Sequence, residues 1–205
     1  MKMFLDKNKP LHTCDEKSCD HCDVKELVYC HFNMKLLFQF IIVAIPCFII
    51  GGIGVSRFNP WLLIPWIVFF VLYFGLIEIR VMCSHCPHYA EPETKTLTCW
   101  ANYGSPKLWK YRPGPMSLTE KFVFFSGLVI IIMYPSLIMT ISEQFILLTV
   151  FVLYAMIAVF LMHLFMCRRC MNFACPLNSV PKDVKDKFMS HNSIVCHAWN
   201  QSEKQ

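Results

Sequence analysis

Four stretches of this chain contain no Asp, Glu, Lys or Arg: residues 36–56, 58–77, 122–142 and 144–167. Each is 20 to 24 residues long, and at about 1.5 Å per helical residue each reaches across a hydrocarbon layer of about 30 Å. One such run can be a buried helix of a large soluble protein. Four of them in 205 residues, 56% hydrophobic and 16% charged, leave too little polar chain to cover them. The fold class expected is therefore an all-α membrane protein with four transmembrane helices. Arg57 alone separates the first two runs and Glu143 alone the last two, so the helices form two tight hairpins.

Local signals refine this plan. Pro46 and Pro135 fall inside the first and third helices and are expected to kink them. Gly51, Gly52 and Gly54 give the first helix a smooth face for close packing. Ser117 and Glu120 have capping-box spacing ahead of the third helix. Trp100, Tyr103, Trp109 and Tyr111 are expected as interfacial anchors.

The chain divides into a Cys/His-rich N-terminal segment (1–34), a first hairpin (35–80), a Cys-rich loop (81–120), a second hairpin (121–166) and a Cys-rich tail (167–205). Of its 19 Lys and Arg residues, 18 lie on the face shared by the N-terminus, the loop and the tail. The positive-inside rule places that face, and both termini, in the cytoplasm. Residues 1–14 contain no apolar stretch of the kind found in a cleaved signal peptide. The net charge of +5 is gathered beside the membrane. There it suits anionic headgroups of the lipid bilayer and requires no nucleic acid.

Eleven of the twelve cysteines share that face, and only Cys47 falls within a span. The N-terminal group is Cys14-x4-Cys19-x2-Cys22-x7-Cys30, interleaved with His12, His21 and His31. The loop carries Cys83-x2-Cys86-x12-Cys99, with His85 and His88. The tail carries Cys167-x2-Cys170-x4-Cys175, then Cys196-His197. Two cysteines with two residues between them can direct both sulfurs at one ion, and further donors close the site. A reducing compartment argues against disulfides. Cys47 reads as an ordinary small buried hydrophobe.

Residues 82–90 and 166–174 share the pattern Met-Cys-x-x-Cys-x-x-aromatic-Ala. Each follows a hairpin with a proline in its first helix, so the two halves read as parallel duplicated repeats.

Iron–sulfur clusters and zinc are the cofactors these spacings allow. For clusters speak Cys86-Pro87, Cys175-Pro176 and the first three spacings of the N-terminal group, which match plant-type ferredoxins. For zinc speaks the folding energy that short tails with little core would gain from a closed four-ligand site. In plan the chain resembles the polytopic membrane ferredoxins of respiratory and nitrous-oxide metabolism. In those proteins helix pairs are followed by cytoplasmic Cys-Pro motifs, and the matching residues here are Cys83-x2-Cys86-Pro87 and Cys170-x4-Cys175-Pro176, with different spacers. The resemblance implies electrons passing between quinol and clusters.

Glu78 and His163 lie a little over one turn before Cys83 and Cys167, and an ionisable group at that depth is a candidate for cofactor or quinone contact. The ordinary alternatives are that Glu78 pairs with Arg80 or snorkels to the interface, and that His163 hydrogen-bonds within the bundle. Met133, Met139, Met156, Met162 and Met166 are soft donors of the kind a copper path uses, but no Met-x-x-Met pair crosses the bilayer. The function expected is a membrane electron carrier, a subunit of a redox system with a protein partner and a quinone. A zinc-stabilised scaffold and a membrane thiol oxidoreductase are the alternatives. The sequence holds no hydrolase or phosphate-loop arrangement.

Overall fold

In a computed structural model the described residues are 9–20 and 22–202. His21, counted above among the N-terminal histidines, lies outside the described residues, as do the ends of the two terminal segments. The protein is all-helical, with no strand among the described residues, and four helices are long and apolar enough to cross a membrane.

Helix α1 (Met34–Phe58) is opened by the Asn33 side chain, which accepts from Lys35 N–H at 2.9 Å. Asn59 repeats this cap at Trp61 N–H, 3.0 Å, and starts the second span. That span is composite: a 3-10 turn (Pro60–Leu62), α2 (Leu63–Leu72), a π-helical turn (Tyr73–Ile77), α3 (Glu78–Val81) and a 3-10 turn (Cys83–His85). It outruns the charge-free stretch and carries Glu78 and Arg80 within its last turns. Helix α4 (Leu118–Ile141) begins with the complete Ser117–Glu120 capping box. The turn through Glu143, at φ 58°, leads into α5 (Phe145–Phe165). Two short helices, α6 (Lys182–Ser190) and α7 (Ser193–Ser202), form the tail.

Large apolar side chains such as Ile42, Val71, Ile130 and Ile157 point outward and remain exposed, the surface a bilayer would cover. Inside, the bundle closes on small residues. A Cβ on Gly51 would stand 3.0 Å from the Trp66 ring, while Gly54 lies against Met139 and Gly127 against the Tyr73 ring. Polar tips satisfy backbone acceptors across the bundle. Trp66 Nε1 donates to Ile131 O (3.1 Å), Tyr134 Oη to Leu62 O (2.8 Å), Tyr154 Oη to Val43 O (3.1 Å) and Gln144 Nε2 to Gly54 O (3.1 Å). Cys47 is buried with Met139, Phe151 and Ala155.

The three polar segments fold together at one end of the bundle. Leu11, Val24 and Val28 of the N-terminal segment share a core with Cys86 of the loop and Met171, Val184 and Phe188 of the tail. Tyr29 N–H donates to Arg169 O (2.8 Å), and Asp15 accepts both the N–H and the hydroxyl of Ser193 at the start of α7. The aromatic residues expected at the membrane interface are engaged in protein contacts. Trp109 and Tyr111 pack on Ile79, Cys83, Tyr89 and Leu97; Tyr103 stacks on Phe32 at 4.4 Å, and Trp100 meets Phe40 edge-on at 5.6 Å.

Candidate functional site

The two Cys-x-x-Cys exits adopt one local conformation. In each, the span ends on a Met (φ −118°, ψ −56° for Met82; φ −112°, ψ −49° for Met166) and tightens into a 3-10 turn. The second cysteine of each pair is extended, at ψ 137° for Cys86 and 127° for Cys170, and donates its N–H to the carbonyl of the first. Asn172 Nδ2 donates to Met82 O at 3.3 Å, which ties the second exit to the first.

The loop then folds back. A short turn with Leu97 N–H to Ser105 O (2.8 Å) and Gly104 N–H to Leu97 O (2.9 Å), closed by Gly104 at φ 84°, brings Cys99 and Asn102 over the first exit. The result is a composite group: Cys83, Cys86 and Cys99 from the loop lie within electrostatic reach of Cys170 and Cys175 from the tail. Burial pushes Cys99 up to about 11 and Cys175 up to about 12. It also raises Cys86 and Cys170 well above the ordinary thiol range. Lys107 opposes the shift at Cys86 without cancelling the burial.

Hydrogen bonds to the sulfurs work against that burial. Asn102 donates its backbone N–H to Cys99 Sγ (3.1 Å) and its side-chain Nδ2 to Cys83 Sγ (3.2 Å). Backbone groups of His88, Asn172, Leu177 and Asn178 are hydrogen-bonded to the sulfurs of Cys86, Cys170 and Cys175, each opposing the effect of burial. A neutral thiol is a weak acceptor, whereas a metal-bound sulfur takes such bonds readily. The donor set thus suits a thiolate-bound metal in chemistry. In position it is gathered without being drawn in, for among the described residues no three His, Cys, Asp or Glu side chains converge as a metal site.

Glu78 lies beneath this group. It is buried and hydrogen-bonded to Asn102, and its Oε2 has no partner among the described residues. Arg80, its expected partner, instead lies 3.5 Å from Glu120 Oε1, and Glu120 also pairs with Arg112. Arg112 in turn donates to Arg80 O (2.7 Å) and Ser84 Oγ (3.0 Å), fastening the loop to the first exit. His163 is exposed on α5, so the structure does not bring it together with the buried Glu78.

Comparison with family models, with curated proteins and with solved structures finds no match to this chain. Chemistry read from its own residues is what remains.

Of the remaining sequence candidates, Cys167 stays within electrostatic reach of the composite group and the other cysteines stand apart from it. Cys167 acts on Cys175 from the edge, and Cys196 stands on α7, its sulfur 3.6 Å from Asn200 Nδ2. The four N-terminal cysteines, Cys14, Cys19, Cys22 and Cys30, line a cavity of their own. His85 bonds Gly114 O through Nδ1 at 2.8 Å. His88 is buried against Tyr29 and held down to about 4 by that burial. His12 and His197 are exposed. The residue sequence reasoning missed is Asn102, which touches two sulfurs and Glu78 at once; its only signal was a position three residues after Cys99.

Proposed function

We propose that this is an integral membrane metal–thiolate protein that carries electrons, with an iron–sulfur centre in the composite group of Cys83, Cys86, Cys99, Cys170 and Cys175. The observation that carries the reading is the set of N–H donors aimed at these buried sulfurs. Such donors stabilise sulfur-borne negative charge and are a known means of setting a cluster's potential. A cluster there would take up and release single electrons. The chain's own part is to exclude water, to supply the N–H groups, and to join two exits that we read as the ends of duplicated hairpins. The clustered Lys and Arg residues support placing this end in the cytoplasm, where a soluble redox protein reaches it, with a quinone reached from the bilayer side.

Anaerobic purification tests the proposal: the protein is expected to be brown, with broad absorption near about 400 nm that bleaches on reduction. A colourless protein with stoichiometric zinc in the composite group would establish the second reading, a zinc-stabilised scaffold. That reading is favoured by the small polar-end core, in which Cys14, Cys22, Cys30 and Cys86 themselves supply much of the packing. Labelling of cysteines introduced at positions 57 and 143 from either side of sealed vesicles would settle the orientation.

A further inference from the structure

The N-terminal cysteines fold apart from the composite group, and their environment is different. Cys14, Cys19, Cys22 and Cys30 surround a single small cavity of about 20 Å³, closed on the other side by Phe188, His191 and Asn192 at the end of α6. A cavity of about 10–15 Å³ holds one water-sized particle. A space of that size suits one ion, and here too the sulfurs are gathered without being drawn in.

The four thiols act on one another: Cys22, Cys19 and Cys14 each add to the burial that pushes Cys30 up to about 12, and Cys14 and Cys22 likewise raise Cys19. Lys25 lines the same cavity and opposes the shift at Cys19, so a positive charge already stands beside the sulfurs. The segment has little else to hold its shape. Among its described residues between 9 and 33 it forms only turns, bends and irregular backbone, and its apolar side chains are few: Leu11, Val24 and Val28 reach the shared core.

We infer that Cys14, Cys19, Cys22 and Cys30 form a closed single-ion site for zinc(II), separate from the composite group, whose metal latches the N-terminal segment onto the end of α6. Four sulfurs complete a tetrahedral structural site and leave no open position for a substrate. Because such a site is assembled only in the folded segment, binding energy becomes docking energy. The polar contacts of Asp15 with Ser193 and of Thr13 Oγ1 with Asn192 Oδ1 at 3.0 Å set where the segment lands. This inference stands whether or not the composite group holds a cluster.

The test uses full-length protein in detergent, compared with a Cys14→Ser/Cys19→Ser variant and a Cys86→Ser/Cys170→Ser variant. The first variant is expected to lose about one equivalent of zinc per chain and to be cleaved faster within residues 9–33. It keeps whatever chromophore the composite group carries. The second variant is expected to keep that zinc and lose the chromophore. Cobalt(II) added to metal-free wild type should give the intense thiolate-to-cobalt charge transfer of a tetrahedral site, lost only in the first variant. If the first variant does not fold, zinc release from wild type by a chelator, with cleavage rising in step, replaces it. Equal zinc in wild type and first variant, chelation without faster cleavage, or iron retained by the second variant at the N-terminal group would each overturn the inference.

Discussion

The indole N–H of Trp66 donates to the carbonyl of Ile131 at 3.1 Å, and Ile131 is the residue whose helical donor Pro135 removes. A proline four residues on leaves that carbonyl without its i+4 partner inside the bundle. The second span thus supplies the hydrogen bond that the third lacks. Trp66→Phe is expected to destabilise the protein by about 1–3 kcal/mol, the cost of orphaning a buried acceptor. In a Pro135→Ala background, where position 135 regains an N–H, most of that cost should vanish. Chemical unfolding in micelles over the double-mutant cycle checks this; strict additivity would mean the indole acts by packing alone.

The glycines should differ in their tolerance of a methyl group. At Gly127 a Cβ would run into the Tyr73 ring, which is pinned by its hydroxyl bond to Phe124 O. At Gly54 it would meet Met139, an unbranched and therefore more adaptable chain, and at Gly52 nothing nearer than 3.9 Å. Gly127→Ala should therefore cost most, about 1–3 kcal/mol as for other overpacked cores, Gly54→Ala less, and Gly52→Ala close to nothing. Thermal stability of the three variants gives the order directly.

Asn102 is the joint between the loop and the composite group. Asn102→Ala removes the donor to Cys83 Sγ and the partner of Glu78, and should cost about 1–3 kcal/mol. Asn102→Asp should be worse, since it sets a second carboxyl against Glu78 and the sulfurs. A Glu78→Gln change on top of Asn102→Asp should recover part of the loss. An unfolding series of these variants decides it, and equal stability of the Ala and Asp variants would show that charge plays no part.

Docking of the N-terminal segment should weaken as pH rises. His191 sits between Glu16 (Nδ1, 2.9 Å) and Asp23 (Nε2, 3.1 Å), and its pKa is raised by the hydrogen bond to Glu16, with Asp23 adding to it. A base whose folded value lies above its unfolded value of about 6.5 contributes fully below that pH and loses the contribution as pH passes the folded value. In metal-free protein, where thiolate–metal binding does not run the other way with pH, protease nicking within residues 9–33 should therefore speed up from mildly acidic to alkaline pH. His191→Gln should flatten the profile, and an unchanged profile in that variant would remove His191 as its source.

Much of the framework was legible because its causes are local. The four spans follow from the absence of charge, and the Ser117–Glu120 cap from two residues three apart. The end of the second span was not legible. Glu78 continues the helix into the site, where Asn102, brought from beyond residue 98 by the loop, holds its carboxyl. The grouping of cysteines was hidden for the same reason. Spacing ranks neighbours along the chain, whereas the turn at Gly104 and the return of the tail put Cys99 and Cys175 beside Cys83 and leave Cys196 apart. The depth of Glu78 and His163 could be counted, but the side of the helix each occupies could not.

For Glu78 that gap traces to the π-helical turn at Tyr73–Ile77. Such a turn lodges one extra residue in a helix, and each residue swings the helix by about 100°. Everything after it, Glu78 included, is rotated as if a ratchet had advanced one tooth. Were the same residues wound as a regular α-helix, with none absorbed by the wider turn, the carboxyl would swing about 100° from its present side and leave Asn102. The membrane end of the site is aimed by a surplus residue, and the aim would be lost without any change to a cysteine.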